Sequence, residues 1–404
     1  MADQGHSRRG FFQNAAAGVA AAAAGMTLMR DLRADEPVKA VEDKATSIRI
    51  SDLKAIPVGP KVYVKIETNM KVVGWGEITG LEPKVAAALA VSLLELLKDE
   101  NPTRIEHLWQ KIYRSHRDMR GGAFMVHTLS AIDMALWDIT GKLYGVPVYR
   151  LLGGPVRDKV RLYPTPKAFK SGTGGPHPYS GDPPEVERLV KMVESARKRV
   201  GPDGTVMFDA HSSVPPPLLI QFANAIQPYD ILFLEEPAVP GNIDVFKRLK
   251  EAIRIPMATG ERDRTIWGMI PYLTERCIDI LQPDCGHTGG ISQMKKIGTL
   301  CETFTVPIAP HCTMSELGLS ASIHSAFAIP NFLIHEAYLD GHLMPPGVAR
   351  KSWETDKNGD ALLPQGPGLG VEMDEAKMAE VAADPKKKFK WPVPKMTDGA
   401  VYDY

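Results

Sequence analysis

Cysteine is scarce in this chain and net charge is nil. Its four cysteines, Cys277, Cys285, Cys301 and Cys312, include no CxxC pair among 404 residues. Neither a zinc site nor a disulfide framework is expected, and buried free thiols are. The 48 basic residues balance 48 acidic ones, which argues against nucleic acid as a general partner. Beyond roughly the first thirty residues no apolar run is long enough to span a bilayer. What is present, 44% hydrophobic and 24% charged residues, describes a soluble globular chain with room for one large or two moderate domains.

The amino terminus differs in kind. Ser7-Arg8-Arg9-Gly10-Phe11-Phe12 precedes Asn14 and an alanine-rich apolar stretch from Ala15 to Leu28. A basic pair, an aromatic pair and an apolar segment too short for a stable span resemble a twin-arginine export signal. Residues 1–35 are therefore set apart from the fold. The mature protein is expected in the periplasm, with no stable membrane span after processing.

Alternation from Ser47 to Glu77, with a turn at Thr68-Asn69, predicts an antiparallel hairpin or meander. Helices are predicted over 83–98, opened by Pro83, and over 104–114, where Ile105, Leu108, Trp109 and Ile112 share a face. A third runs from Ala123 to a stop at Gly145, with Pro147 just beyond. Strands followed by packed helices make an α+β domain over residues 47–158.

From residue 160 the pattern changes. The runs VMFDAH, ILFLEEP, PMATGE, IDILQPD, VPIAPH and FLIHE place Asp209, Glu235, Glu261, Asp284, His311 and Glu336 at steps of 26, 26, 23, 27 and 25 residues. Each step accommodates one buried strand, a helix and two short loops, so the steps read as successive βα units. The polar residue falls at the carboxyl end of each strand, the face on which closed parallel barrels carry their chemistry. The barrel is assigned to residues 160–337. Residues 338–404, rich in Pro, Gly and Lys, are expected to be irregular and to lie against the first domain.

The accounting leaves a gap. Val160 to Glu336 is 177 residues, short of the roughly 200 to 250 usual for eight βα units. Only about twenty residues separate the first strand (Val160–Thr165) from a helix at Glu185, yet a parallel pair needs a crossover of about a dozen residues. The helix between strands one and two is expected to be missing, with Lys167–Lys170 as a residual second strand. Either seven good strands or an irregular, weakly closed barrel would result.

Asp209, Glu235 and Glu261 end three consecutive strands, and hard carboxylate oxygens are the ligands Mg²⁺ prefers. In Leu234-Glu235-Glu236-Pro237 the equal spacing favours Glu235 as ligand, with Glu236 an acceptor behind it. His211 follows Asp209 by two residues and at strand periodicity faces the same side. His311 and Asp284 end neighbouring strands, and a carboxylate beside a histidine fixes its tautomer and raises its basicity, as a general base requires. His324, His335 and His342 read as structural. Two imidazoles flanking carboxylate-bound Mg²⁺ suit removal of an α-proton from a metal-chelated carboxylic acid. The second imidazole then protonates a departing β-hydroxyl, giving dehydration, or the opposite face, giving epimerisation.

The segments SAIDMALWDITGKLYGVPVYRLLGG, FDAH, FLEEP, TGER, QPDCGHTGG, APHCTMSELG and PNFLIHE, in this order and spacing, resemble the enolase superfamily. The similarity is to its mandelate racemase/muconate lactonizing branch and, within that, to acid-sugar dehydratases of the galactonate and mannonate kind. The resemblance implies an α/β fold, a modified TIM-type (β/α)₇β barrel, here shortened between strands 1 and 2, beneath an N-terminal α+β capping domain that the C-terminal residues complete. It implies one Mg²⁺ per active site on Asp209, Glu235 and Glu261, a base dyad of His311 with Asp284, and His211 as general acid. Glu336 would hydrogen-bond the substrate carboxylate or enediolate, with Arg262, His287 and Lys170 as substrate contacts. The implied activity is Mg²⁺-dependent dehydration of an acid sugar (aldonate). An epimerase or racemase of the same family, or a catalytically weak relative that binds metal and carboxylate, is the alternative. The expected partner is a small acid sugar, and the expected assembly a homo-oligomer. Two departures stand out. The branch often carries Lys-x-Lys on its second strand, where this chain has only Lys167 and Lys170, and Pro57–Val62 leaves little to fold over the mouth.

Overall fold

The alternating segment after Ser47 folds as a three-stranded antiparallel sheet of β1 (Ile50–Val58), β2 (Lys61–Thr68) and β3 (Val73–Ile78). A computed structural model describes residues 44–173, 184–341 and 347–384, with Val393, Lys395, Gly399 and Val401; the export-signal expectation at residues 1–35 and the structural reading of His342 lie outside the described residues. Only Gly59 and Pro60 join β1 to β2, so no loop projects from this hairpin. Gly74 and Gly76 let β3 lie directly on a helix: a Cβ on either would come within 2.1 and 1.8 Å of the Ala135 and Ala131 carbonyl oxygens. Glycine is the residue that permits such close backbone approach.

Helix α1 (Pro83–Ser92) stops earlier than the pattern predicts, and a further turn occupies Leu94–Leu97. Helix α2 (Ile105–Ser115) buries Ile105, Leu108, Trp109 and Ile112, the face its periodicity marks. Helix α3 (Ala123–Tyr144) ends at Gly145 in the left-handed region, φ 70°. It is buried along most of its length, because the β3 sheet covers one side and the barrel helix α8 (Gly290–Thr303) another.

The barrel strands are β4 (Leu162–Tyr163), β5 (Ala168–Gly172), β6 (Thr205–Asp209), β7 (Leu234–Glu235), β8 (Met257–Thr259), β9 (Ile280–Leu281) and β10 (His335–Glu336). β5 through β9 pair in parallel in chain order. Ile308 bridges Leu281 on one side and Phe332 on the other, and β10 pairs in parallel with β4. Tyr163, Ala168, Met207, Phe233, Ala258, Ile280, Ala309 and Ile334 fill the interior.

No helix lies between β4 and β5. Four residues, Pro164 to Lys167, make the connection, and Thr165 and Ala168 exchange backbone hydrogen bonds of 2.7 and 3.3 Å in a tight antiparallel turn. The expected residual second strand needs correction, however. β5 matches β6 residue for residue over five pairs, from Ala168 with Thr205 to Gly172 with Asp209. The missing crossover costs the barrel one seam, because four residues cannot return the chain in parallel, while the neighbour on the other side orders β5 fully.

The C-terminal part is also less irregular than its composition suggests. Ala349–Lys351 pairs with Val371–Met373, Ala361–Leu362 pairs with Lys159–Val160, and Glu375–Ala383 is a helix capped by the Asp374 carboxylate on the Lys377 amide. Trp353, Leu369, Met378 and Val381 join a core cluster with residues of both larger domains. Apolar side chains at these spacings outweigh the breakers between them. All four cysteines are buried and free, and no helix among the described residues is long and apolar enough to cross a membrane.

His324 and His335 are wholly buried. The Tyr149 amide donates to His324 Nδ1, and Ser322 Oγ lies 2.7 Å from His335 Nε2. Burial pushes both imidazoles down to about 4. The unfolded chain takes up a proton at each near 6.5 that the folded chain refuses until about 4, so both groups favour unfolding increasingly as pH falls through that window. Each should cost about 2 kcal/mol by pH 5. Urea unfolding at pH 7 and pH 5 should therefore give a smaller loss of stability in His324→Asn than in the native protein. An identical loss in both would show that His324 is not held neutral.

Candidate active site

The carboxyl ends of the strands deliver their polar residues to one place. Asp209 and Glu235 end β6 and β7. Glu261 follows β8 after Gly260, whose φ of 133° excludes ordinary side chains. One carboxylate oxygen from each lies within 4.8 Å of the other two. Three such groups repel one another unless a cation sits among them.

The chain supplies one cation itself. Lys170 Nζ, reaching up from β5, is 2.6 Å from Glu235 Oε1, 3.0 Å from Glu336 Oε1 and 3.3 Å from Asp209 Oδ2. Burial would lower its pKa, but Glu235, Glu336 and Asp209 hold it well above the usual lysine range. One lysine does not balance four acids. Burial and the Asp209 charge push Glu235 well up despite Lys170, and Glu235 Oε2 is buried without a hydrogen-bond partner. Converging hard oxygens, an orphaned carboxylate oxygen and a deficit of positive charge fit a small divalent cation.

His311 Nδ1 is 2.6 Å from Asp284 Oδ2, and Asp284 Oδ1 accepts from the Gly286 amide at 2.6 Å. Burial alone would raise the Asp284 carboxyl; His287 and the His311 bond hold it well below the usual range. An ionised Asp284 keeps the His311 proton on Nδ1 and leaves Nε2 as the working nitrogen. Nε2 lies 3.6 Å from Glu261 Oε2 and 3.7 Å from Glu336 Oε2. These charges, with the Asp284 bond, carry His311 well above its ordinary value against the pull of burial.

His211 reaches the site by a different route from the one its spacing suggests. β6 ends at Asp209, and His211 and Ser212 turn into the left-handed region at φ 45° and 54°. The turn, rather than strand alternation, brings His211 Nε2 to 2.9 Å from Asp209 Oδ2, while the His211 amide caps Asp209 Oδ1 at 2.8 Å. The Asp209 bond raises the His211 pKa although burial opposes it.

A cavity of about 230 Å³ opens over this cluster, lined by Lys170, Asp209, His211, His311, Glu336 and Tyr338 among others. Larger surface cavities of about 530 Å³, such as that between Ile105, Trp137 and Leu152, hold no such convergence. Glu336 accepts from Lys170, from the Cys312 amide at 3.2 Å and from Tyr338 Oη at 3.0 Å. Burial pushes its carboxyl up, but Lys170 and His311 bring it below the ordinary value. Glu336, expected to hydrogen-bond a substrate carboxylate or enediolate, thus stands at the cavity wall beside Lys170 and Tyr338. Lys170 and Tyr338 face the cavity as donors alongside His211 and His311, and nothing in the strand pattern marked Tyr338.

Two expected substrate contacts sit behind the cavity. Arg262 Nε donates to Glu236 Oε1 at 2.6 Å and another guanidinium nitrogen reaches Ser212 Oγ, so Glu236 anchors Arg262 and leaves the cluster to Glu235. His287 Nδ1 is 2.9 Å from the Glu261 carbonyl, and its ring stacks on His127 with centroids 4.2 Å apart. His127, contributed by α3, carried no sequence signal.

Residues 39–153 match the mandelate racemase/muconate lactonizing enzyme N-terminal domain, and residues 159–377 match the enolase C-terminal domain-like family. A D-galactonate dehydratase of Variovorax paradoxus is 32% identical over 88% of this chain and 100% of that protein. One from Ralstonia nicotianae is 33% identical over the same shares. Among solved structures, an enolase described as a candidate galactarate dehydratase from Agrobacterium radiobacter, bound to sodium and L-malate, superposes with a TM-score of 0.78. It is 31% identical, over 87% of this chain and 99% of that one.

Calorimetric titration with Mg²⁺ should read the carboxylate cluster directly. Asp209→Asn and Glu235→Gln should each weaken binding by about tenfold or more, whereas Glu236→Gln, whose carboxylate is engaged by Arg262 outside the cluster, should stay within about twofold of native. Equal affinity in all three variants would rule the cluster out as the metal site.

Proposed function

Because the chain belongs to the mandelate racemase/muconate lactonizing enzyme family of the enolase superfamily, we propose that it is a Mg²⁺-dependent hydro-lyase. Its substrate would be an acid sugar, an aldonic acid or a similar 2,3-dihydroxy acid. The observation that carries this reading is the pairing of His311–Asp284 and His211–Asp209 around one small cavity over the carboxylate cluster. The dehydratase activities named for the relatives support the substrate class.

Asp209, Glu235 and Glu261 would hold the Mg²⁺, which when bound supplies charge stabilisation to a substrate carboxylate. Lys170 and Tyr338 offer donors to the same carboxylate. His311 Nε2 takes the α-proton, with Asp284 stabilising the resulting imidazolium. A cation held by Glu261 would offset part of the negative charge that raises the His311 pKa. His211 gives its proton to the β-hydroxyl as the C–O bond breaks, and the enol product tautomerises to a 2-keto-3-deoxy acid. If His211 instead returned a proton to the α-carbon, the product would be the epimer.

Incubation with a library of acid sugars in D₂O and Mg²⁺ separates these outcomes. The expected product is the 2-keto-3-deoxy acid; an α-deuterated epimer would favour the second reading. His311→Asn should abolish α-proton exchange, while His211→Asn should retain exchange and lose dehydration. Full exchange in His311→Asn would remove His311 as the base. Metal-dependent ligand binding without any turnover would sink the dehydration reading.

The same proposal includes export to the periplasm, read from Arg8-Arg9 and the apolar segment behind them. A folded reporter carrying residues 1–35 should be exported, and Arg8→Lys/Arg9→Lys should retain it in the cytoplasm. Export unaffected by that change would reject a twin-arginine route. Homo-oligomeric assembly, also part of the reading, is checked by light scattering; a monomer mass would reject it.

A further inference from the structure

The segment that carries His311 into the next helix is held from the other domain. Lys61, directly after the Gly59–Pro60 turn of the cap hairpin, is 3% exposed, and Glu77 on β3 is fully buried. Lys61 Nζ donates to the Thr313 carbonyl at 2.5 Å and to Thr79 Oγ1 at 2.9 Å, and lies 3.4 Å from Glu77 Oε1. Glu77 accepts from the Ser315 amide at 2.9 Å, from Ser315 Oγ at 2.6 Å and from the Gly318 amide at 3.2 Å. Tyr63 Oη completes the cluster on Ser315 Oγ at 3.0 Å.

Ser315 is the N-cap of helix α9 (Glu316–Ala328), yet its own side chain makes no capping bond. Glu77 satisfies the open amides in its place. A helix N-terminus normally finds its cap locally; here the acceptor comes from a strand 238 residues earlier. Thr313, whose carbonyl Lys61 holds, lines the active-site cavity and lies two residues from His311. The metal-binding carboxylates come from other strands and touch neither Lys61 nor Glu77.

We propose that Lys61 and Glu77 of the cap are positioning residues for the base. They fix Cys312–Ser315 so that His311 Nε2 faces the carboxylate cluster while Nδ1 keeps its bond to Asp284. This rests on the reading of His311 as the base. The buried pair is the means by which a cap with no projecting hairpin loop still acts on the chemistry.

The test compares Glu77→Gln, Lys61→Met and the conservative Lys61→Arg in the full chain, with Thr79→Val as a milder change should the charge deletions impair folding. Hydrogen exchange of the peptide spanning 309–318, measured in substrate-free protein with Mg²⁺, should be about tenfold or more faster in Glu77→Gln and Lys61→Met. Their Mg²⁺ affinity should stay within about twofold of native. On the acid sugar that the native protein turns over, kcat should fall about ten- to a hundredfold with KM little changed, as expected when a reacting group is misplaced rather than removed. Lys61→Arg should recover part of the loss, and Thr79→Val should show the same pattern more weakly. Faster exchange with native kcat would overturn the proposal, as would native exchange rates or a parallel loss of Mg²⁺ affinity. If the native protein dehydrates no acid sugar, the functional reading fails by itself, and the exchange arm still decides whether the pair holds the segment.

Discussion

Four carboxylates, Asp209, Glu235, Glu261 and Glu336, converge at the mouth of the barrel on a single lysine, and the rest of the site follows from that imbalance. Lys170 touches three of them, yet Glu235 is still pushed up by burial and by its neighbour Asp209. The same surplus carries both histidines above their ordinary values. A divalent cation would relieve the repulsion among these carboxylates. The charge states of these groups are thus coupled, because groups a few ångströms apart in a dry site cannot titrate independently.

The barrel that holds these groups is complete where the chemistry needs it and abbreviated where it does not. Ladders or bridges join every neighbouring pair from β5 round to β4, and the remaining seam, between β4 and β5, is a four-residue turn. Lys170 nonetheless stands level with Met207 in an ordered strand, since one well-paired neighbour fixes register and facing. The shortened connection therefore does not displace the cation it leads into.

The cap meets the barrel through buried contacts rather than through a projecting hairpin loop. With Gly59 and Pro60 alone at the hairpin tip, its influence passes through buried contacts: Lys61 and Glu77 to the segment after His311, and His127 stacked on His287. Asp133 ties the same cap helix to the barrel by accepting from the Ser292 amide and hydroxyl. Such contacts are fully desolvated and geometrically exacting, which suits them to setting the position of a catalytic group.

By itself the sequence determined the order of elements, the spacing that puts Asp209, Glu235, Glu261, Asp284, His311 and Glu336 at strand ends, and the absence of a helix between the first two strands. These are local or periodic properties, and periodicity survives in one dimension. Tertiary structure alone decided the other contacts of the site. The left-handed turn at His211, Lys170 among the acids, Tyr338 on Glu336, Arg262 on Glu236, and Glu77 capping a helix of the other domain join residues up to 241 positions apart. The closing of the barrel and the docking of the cap create these contacts, and no spacing along the chain encodes them, because burial and charge depend on neighbours in space.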